Sequence, residues 1–89
     1  MPAISRFYGI VISMYSETGG RHHLPHFHAR YQGYEAVYAI EELLCLEGEL
    51  PTAQHRLVQE WGALHREELE VNWEILQRGG KAAKIPPLA

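Results

Sequence analysis

Residues 25–31 read PHFHARY, a stretch in which polar and apolar side chains alternate strictly. A period of two is the period of a β-strand, whose successive side chains point to opposite faces. One face of such a strand carries His26, His28 and Arg30, and the other carries Phe27, Ala29 and Tyr31. Side chains two residues apart lie about 6.5–7 Å from each other at Cα, close enough to reach one ion or one phosphate. The stretch therefore predicts a strand and a candidate site on its polar face.

The segment before this strand is polar and contains two further histidines. His22 and His23 bring four of the six histidines within seven residues, and Gly19-Gly20 lies just ahead of them. A polar, glycine-containing segment between two apolar runs is typical of a loop. We interpret residues 16–24 as a mobile loop that joins two antiparallel strands.

Further strands are predicted on both sides of the PHFHARY segment. Residues 4–15 are rich in β-branched and aromatic side chains and indicate one long strand, with Gly9 as a bulge or a close backbone contact. Gln32-Gly33 indicates a tight turn into a strand over residues 34–40. Residues 43–46 are short and apolar, and periodicity leaves them as either a fourth strand or a helical turn. Cys45 lies in this run and is expected to be a small buried hydrophobe rather than a reactive thiol.

The C-terminal half has the pattern of one long helix over residues 52–77. Pro51 suits its first turn, and Gly79-Gly80 is a typical stop. Gly62 lies at the edge of the apolar stripe, where it would allow a close approach to the sheet. Residues 81–89 are expected to be extended unless Ile85 and Leu88 dock. The apolar stripe comprises Leu57, Val58, Trp61, Leu64, Leu69 and Leu76.

Three polar residues interrupt this apolar stripe. His65, Glu68 and Asn72 have the spacing i, i+3 and i+7, which places them in one column on one face of a helix. Two interpretations remain open at this point. The column lies either at a partly solvated margin of the helix or in a hydrogen-bonded polar cluster between helix and sheet.

These elements predict an α+β fold, with a small antiparallel sheet of three to four strands packed against one long C-terminal helix. Residues 1–80 would form a single domain, and residues 81–89 an extended tail. We expect His26, His28 and Arg30 on the open face of the sheet, because burying Phe27 beneath the helix is favourable and desolvating Arg30 is costly. The alternative orientation would bring the three polar residues to the helical column, with Arg30 paired to Glu68.

Composition limits the classes of function. The chain has 89 residues, a net charge of −3 and only 8 lysines and arginines, a balance that disfavours electrostatic binding of nucleic acid. Cys45 is the only cysteine, so neither a disulfide framework nor a thiolate metal cluster is expected. There is no signal-peptide pattern and no apolar stretch long enough to span a membrane, so we expect a cytoplasmic protein.

Four motifs in combination resemble a family of small bacterial proteins that is catalogued as a domain of unknown function. The motifs are ISRFYGIVI at 4–12, PHFHARY at 25–31, LEGELP at 46–51, and LHREEL at 64–69 followed by Asn72-Trp73. Members of that family are often encoded beside another small protein, in an arrangement similar to a toxin–antitoxin pair. The resemblance implies a small protein partner that is encoded nearby, and it implies no catalytic residues.

Three hypotheses for function follow. In the first, the protein is one component of a two-protein, toxin–antitoxin-like module and acts through protein–protein interaction, which exposed strand edges or a helix face would support. Association with a second copy of the chain is also compatible with these features.

The other two hypotheses use the histidines. In a metal-independent nuclease or phosphoesterase, His26 and His28 would serve as general acid and base, and Arg30 would stabilise the phosphorane charge. His65 and Glu68 would then be orienting partners. Alternatively, His26 and His28 would be metal ligands, completed by His65, Glu68 or a loop histidine. The sequence does not identify the cofactor or the substrate.

Overall fold

A computed structural model describes residues 3–16 and 24–89 as a five-stranded antiparallel sheet followed by two helices. The strands lie in sequential order from one edge of the sheet to the other. The α+β class is confirmed, but the sheet has five strands rather than three or four, and the long helix is divided in two. The elements are β1 Ala3–Phe7, β2 Ile10–Ser13, β3 His26–Tyr31, β4 Tyr34–Ala39, β5 Cys45–Gly48, α1 Thr52–Leu64 and α2 Arg66–Gln77.

The additional strand arises from a hairpin within the first apolar run. Tyr8 and Gly9 have φ values of 50° and 79°, and they form a two-residue loop between the paired residues Phe7 and Ile10. Two consecutive positive φ values are typical of the type I′ turn, whose twist matches that of antiparallel strands. The single long strand predicted over residues 4–15 is therefore wrong, and Gly9 belongs to a turn rather than to a bulge.

The next hairpins agree more closely with the sequence pattern. β3 covers the predicted residues, and Gln32 has a φ of 51° in the turn that joins it to β4. The ambiguous run at 43–46 continues into a strand, β5. Cys45 is exposed at the start of that strand, which contradicts the expected burial, because β5 is an edge strand. The predicted loop at 16–24 lies almost entirely outside the described residues.

The helical segment is interrupted at His65, where φ is −118° and ψ is 26°. The predicted stripe is confirmed for Val58, Trp61, Leu69 and Leu76, all of which are buried. Leu64 is 67% exposed and was wrongly assigned to the stripe, because α1 ends at this residue and the apolar face does not continue through it.

The predicted close approach at Gly62 is confirmed. A Cβ atom at this position would lie 2.5 Å from the Cδ2 atom of Leu43, in the segment between β4 and β5. Contacts this short do not occur between real side chains, so a larger residue at position 62 would require the Leu43 side chain to shift.

Trp61 is the centre of the core. Its side chain is fully buried, and its ring centroid lies 5.4 Å from that of Phe7 and 5.8 Å from that of Phe27. The indole Nε1 donates a hydrogen bond to the carbonyl oxygen of Pro86 at 2.9 Å. The core therefore joins the sheet, α1 and the C-terminal segment.

The C-terminal segment packs against the first strand. Ile85 is buried, and its backbone N–H donates to the carbonyl oxygen of Ile4 at 2.8 Å. The ammonium group of Lys84 donates to the carbonyl oxygen of Ala3 at 2.7 Å. Ile85 lies in the core and Leu88 packs against it, and docking of both residues is the condition under which the sequence analysis expects more than an extended tail.

Neither α1 nor α2, the two helices of residues 3–16 and 24–89, has the length and hydrophobicity that a membrane span requires.

Candidate functional site on the sheet

Strand register divides the side chains of the sheet into two faces. The helix face contains the buried residues that pack with Trp61, namely Phe7, Ile10, Ile12, Phe27, Ala29, Ala36 and Tyr38. The opposite face, which we call the histidine face, contains Arg6, Val11, Ser13, His26, His28, Arg30, Glu35, Val37 and Glu47. Residues directly opposite in antiparallel strands point to the same side, so the histidine face consists of rows that cross the strands.

The predicted orientation of β3 is confirmed for two of its three polar residues. Phe27 and Ala29 are fully buried on the helix face, whereas Arg30 is exposed and the His28 side chain keeps 19% of its exposure. Burial of apolar surface contributes about 25 cal/mol per Å², and a buried guanidinium would require a paired partner. Strand orientation therefore follows the apolar residues.

His26 departs from this prediction because it is 1% exposed. Its ring centroid lies 5.0 Å from that of Trp73 in α2, at the end of β3. The Nδ1–H group donates to the carbonyl oxygen of Leu24 at 2.7 Å, which offsets the cost of burial. His26 is thus a packed residue whose Nδ1 atom carries a proton, rather than an exposed one.

His28 is the histidine of β3 that reaches the surface. Its ring lies 5.5 Å from that of His26 and 4.7 Å, edge-on, from that of Tyr15. The Nδ1 atom is 3.9 Å from a carboxylate oxygen of Glu35 on β4, which forms an ion pair when the imidazole is protonated. Arg30 lies two positions along the same face.

The helical column of polar residues divides into two structures. Asn72 is buried, and its side-chain amide donates to the carbonyl oxygen of Ala83 and accepts from the N–H of Ala83, both at 2.9 Å. His65 donates to a carboxylate oxygen of Glu68 at 2.5 Å, and its ring rests on Trp61. Asn72 therefore fixes the C-terminal segment, while His65 and Glu68 form a pair at the helix break.

This arrangement does not unite the predicted catalytic residues. The ring of His65 contacts that of Trp61, which packs on the helix face. His28 instead points to the histidine face. Glu68 accepts a hydrogen bond from His65, and Glu35 is the carboxylate that the structure places beside His28. His65 and Glu68 are therefore orienting partners of each other in this structure.

A metal centre would need ligands beyond those that the described residues provide. In residues 3–16 and 24–89, no three side chains of histidine, cysteine, aspartate or glutamate lie close enough together to hold an ion. His26 and His28 bring two imidazoles side by side on one strand. The loop histidines His22 and His23, which with His65 and Glu68 are the further ligands that the sequence suggests, lie outside the described residues.

The sequence analysis does not predict a second polar pair, which joins the sheet to α1. The hydroxyl group of Tyr38 lies 2.8 Å from the Nδ1 atom of His55 in α1. Burial, together with the nearby Cys45, raises the pKa of Tyr38 to about 12, so the hydroxyl keeps its proton well above neutral pH and can donate it to an unprotonated imidazole nitrogen. No local pattern indicates this pair, because its members belong to a strand and a helix 17 residues apart.

Arg6 was also missed as a site residue. The β1–β2 hairpin pairs Arg6 with Val11, and the next pairing places Val11 beside Arg30. Both arginines therefore lie on the histidine face, in one row. The turn at Tyr8-Gly9 is the feature that brings Arg6 beside Val11. In one long strand over residues 4–15, Arg6 would not lie beside Val11 and Arg30.

Fold and site together define a small α+β protein in which one sheet face forms the core and the other carries histidine and arginine side chains. The family model for the Domain of unknown function (DUF4160) matches residues 9–74, and the chain belongs to that family. The match includes β2 to β5, α1 and most of α2. No curated protein and no solved structure matches the chain significantly.

Proposed function

We propose that this protein acts by binding a second protein, as one component of a two-protein, toxin–antitoxin-like module, with β5 as the docking edge. The observation that carries this proposal is the difference between the two edges of the sheet. The start of β1 is occupied by the C-terminal segment, because Ile85 and Lys84 donate hydrogen bonds to the carbonyl oxygens of Ile4 and Ala3. Among the described strands, none pairs with the outer side of β5.

An open edge can bind an extended segment of another chain. Edge strands present backbone N–H and C=O groups that pair with an added strand, and side-chain pockets then give specificity. Leu44, immediately before β5, is 55% exposed and offers an apolar contact at this edge. β5 is therefore suited to sheet extension by a partner.

The charge around β5 indicates the chemistry of that partner. Four glutamates flank the edge, and no lysine or arginine occurs from Tyr31 to His55. A partner strand with basic side chains on either side of an apolar residue would be attracted to this edge and would contact Leu44. The glutamates are Glu41, Glu42, Glu47 and Glu49.

The test is co-purification with the protein encoded by the neighbouring gene, followed by a binding titration. We expect a stable complex whose affinity in the wild type decreases at high salt, and whose affinity at low salt falls at least about tenfold in the variant Glu42→Lys/Glu49→Lys. The matched control is Glu60→Lys/Glu70→Lys, which makes the same charge change at exposed helical positions. Wild-type affinity in the β5 variant, or no complex, would contradict the proposal.

A metal-independent nuclease or phosphoesterase is the second candidate. The favouring observation is that His28 and Arg30 lie two residues apart on a face that reaches solvent. In this function His28 would transfer the proton, Arg30 would stabilise the phosphorane charge, and the buried His26 would hold the ring of His28. RNA cleavage in EDTA that is lost in His28→Ala would support this candidate.

Metal binding through His26 and His28 would be tested separately from the other two functions. Elemental analysis of untagged protein would detect a bound ion, and His26→Gln/His28→Gln should remove it. A stoichiometric metal that survives this double substitution would exclude both residues as its ligands.

A further inference from the structure

We propose that the histidine face contains a binding site for a small phosphate-bearing molecule, in the cavity between Arg6 and Arg30. The cavity has a volume of about 320 Å³ and lies on the side of the sheet opposite Trp61. This proposal is independent of partner binding at β5, because β1 to β3 form the cavity and β5 is at the far edge. Its lining includes Arg6, Gly9, Val11, Ser13, Arg30 and Gln32.

Strand register brings the two arginines to one ligand. Arg6 on β1, Val11 on β2 and Arg30 on β3 form a continuous row across three strands. Neighbouring strands are about 4.8 Å apart, so the Cα atoms of the two arginines are separated by roughly 10 Å. Guanidinium groups on flexible stems can close that distance over the half-buried Val11 and meet at one anion.

The charge of the cavity favours an anion. No carboxylate lines it, and within the described chain neither arginine forms an ion pair. Glu35 is directly opposite Arg30 in the register, yet its carboxylate oxygen approaches His28 instead. The ammonium group of Lys84 bonds to the carbonyl of Ala3, which also borders the cavity. Positive charge therefore accumulates here in a chain whose net charge is −3.

The geometry points to a phosphate monoester of a small molecule. Guanidinium groups bind phosphate through pairs of charge-assisted hydrogen bonds, and two of them can balance a dianion. Ser13 and Gln32 add neutral polar groups for the ester or for a hydroxyl of the ligand. A nucleic acid would need an extended basic surface, which the net charge of −3 and the acidic β5 edge oppose.

NMR titration of the full chain tests the site. The probes are inorganic phosphate, glycerol 3-phosphate and a short single-stranded RNA. We expect saturable shifts at the backbone amides of Gly9 and Val11 with both phosphate compounds. Arg6→Gln or Arg30→Gln should weaken binding about tenfold each, because each removes charge-assisted hydrogen bonds.

Two further variants distinguish the site from general attraction of anions. Gln32→Glu adds a carboxylate at the rim with little change in shape and should also weaken binding about tenfold. Arg56→Gln/Arg78→Gln removes two exposed arginines elsewhere and should bind as the wild type does. All these positions are exposed, and a thermal melt confirms that each variant is folded.

Three outcomes would overturn the proposal. The first is the absence of saturable shifts at Gly9 and Val11 with millimolar phosphate compounds. The second is binding that persists in Arg6→Gln/Arg30→Gln or falls equally in the Arg56→Gln/Arg78→Gln control. The third is tighter binding of RNA than of glycerol 3-phosphate with a steep salt dependence, which would assign the arginines to nucleic acid.

Discussion

The two faces of β3 place neighbouring residues in opposite environments. Phe27 and Ala29 are fully buried against the helix side, whereas Arg30 is exposed and His28 is partly exposed on the histidine face. Burial of the apolar residues supplies folding free energy in proportion to the area removed from water. Exposed charged groups contribute little to that free energy and remain available for recognition. Substitutions on the two faces should therefore separate stability from binding.

The largest effect is expected for Trp61→Ala. Removing this fully buried indole leaves a cavity among Phe7 and Phe27 and removes the hydrogen bond to Pro86, so we expect a loss of about 3–5 kcal/mol in the free energy of unfolding. A small domain has little stability in reserve, and the variant should be largely unfolded or insoluble. Urea denaturation or a thermal melt measures the change.

The matched control is Leu64→Ala in the same helix. Leu64 is 67% exposed, so its truncation should change the free energy of unfolding by less than about 0.5 kcal/mol. If the two variants melted within a few degrees of each other, Trp61 would not be the centre of the core.

An effect of intermediate size is expected at alkaline pH from Tyr38, on the helix face. Its pKa is raised to about 12 in the folded protein, above the ordinary value of 10, so the folded state favours the protonated hydroxyl. This contribution is fully present below pH 10 and is lost as the pH rises towards 12, to a total of about 3 kcal/mol. The free energy of unfolding should therefore fall over this range.

Tyr38→Phe isolates that contribution from other alkaline titrations. The variant lacks the hydrogen bond to His55, a constant cost of about 1 kcal/mol, but it also lacks the ionising group. The difference in unfolding free energy between wild type and variant, measured by urea denaturation at pH 9 and pH 11.5, should shrink or reverse. A difference that did not change with pH would show that Tyr38 ionises equally well in the folded protein.

How far the sequence predicts this fold depends on whether its signals are local. The alternation over residues 25–31 predicts β3 and the orientation of Phe27 correctly, because burial of one face determines strand register. The turn at Tyr8 was missed because tyrosine at a positive φ is uncommon, and the sequence lacks an Asn-Gly or Asp-Gly signal. The helix break at His65 was missed because neither glycine nor proline marks it.

The candidate site was predicted less completely than the fold. His28 and Arg30 follow from the period of the strand, but Arg6 joins them only through the hairpin that was missed. His26 lies on the same face of β3 as His28 and is nevertheless buried, because Trp73 from α2 covers it. Contacts between distant elements decide such cases, and the pattern of one strand does not contain them.

The smallest effect on stability is expected at Arg30, and it is the sharpest test of the difference between the two faces. Arg30 is exposed and forms no ion pair with any residue in the described ranges, so Arg30→Gln should change the free energy of unfolding by less than about 0.5 kcal/mol. Glutamine keeps part of the aliphatic stem that can cover Val11 in the adjacent strand.

Phe27→Ala is the matched substitution on the helix face of the same strand. It removes a fully buried aromatic ring and should cost about 3–5 kcal/mol. Urea denaturation of both variants gives the comparison directly. A loss above about 1 kcal/mol in Arg30→Gln would show that the guanidinium stabilises the fold. Residues of the histidine face would then contribute to the free energy of unfolding as residues of the helix face do. Substitutions on the two faces would not separate stability from binding.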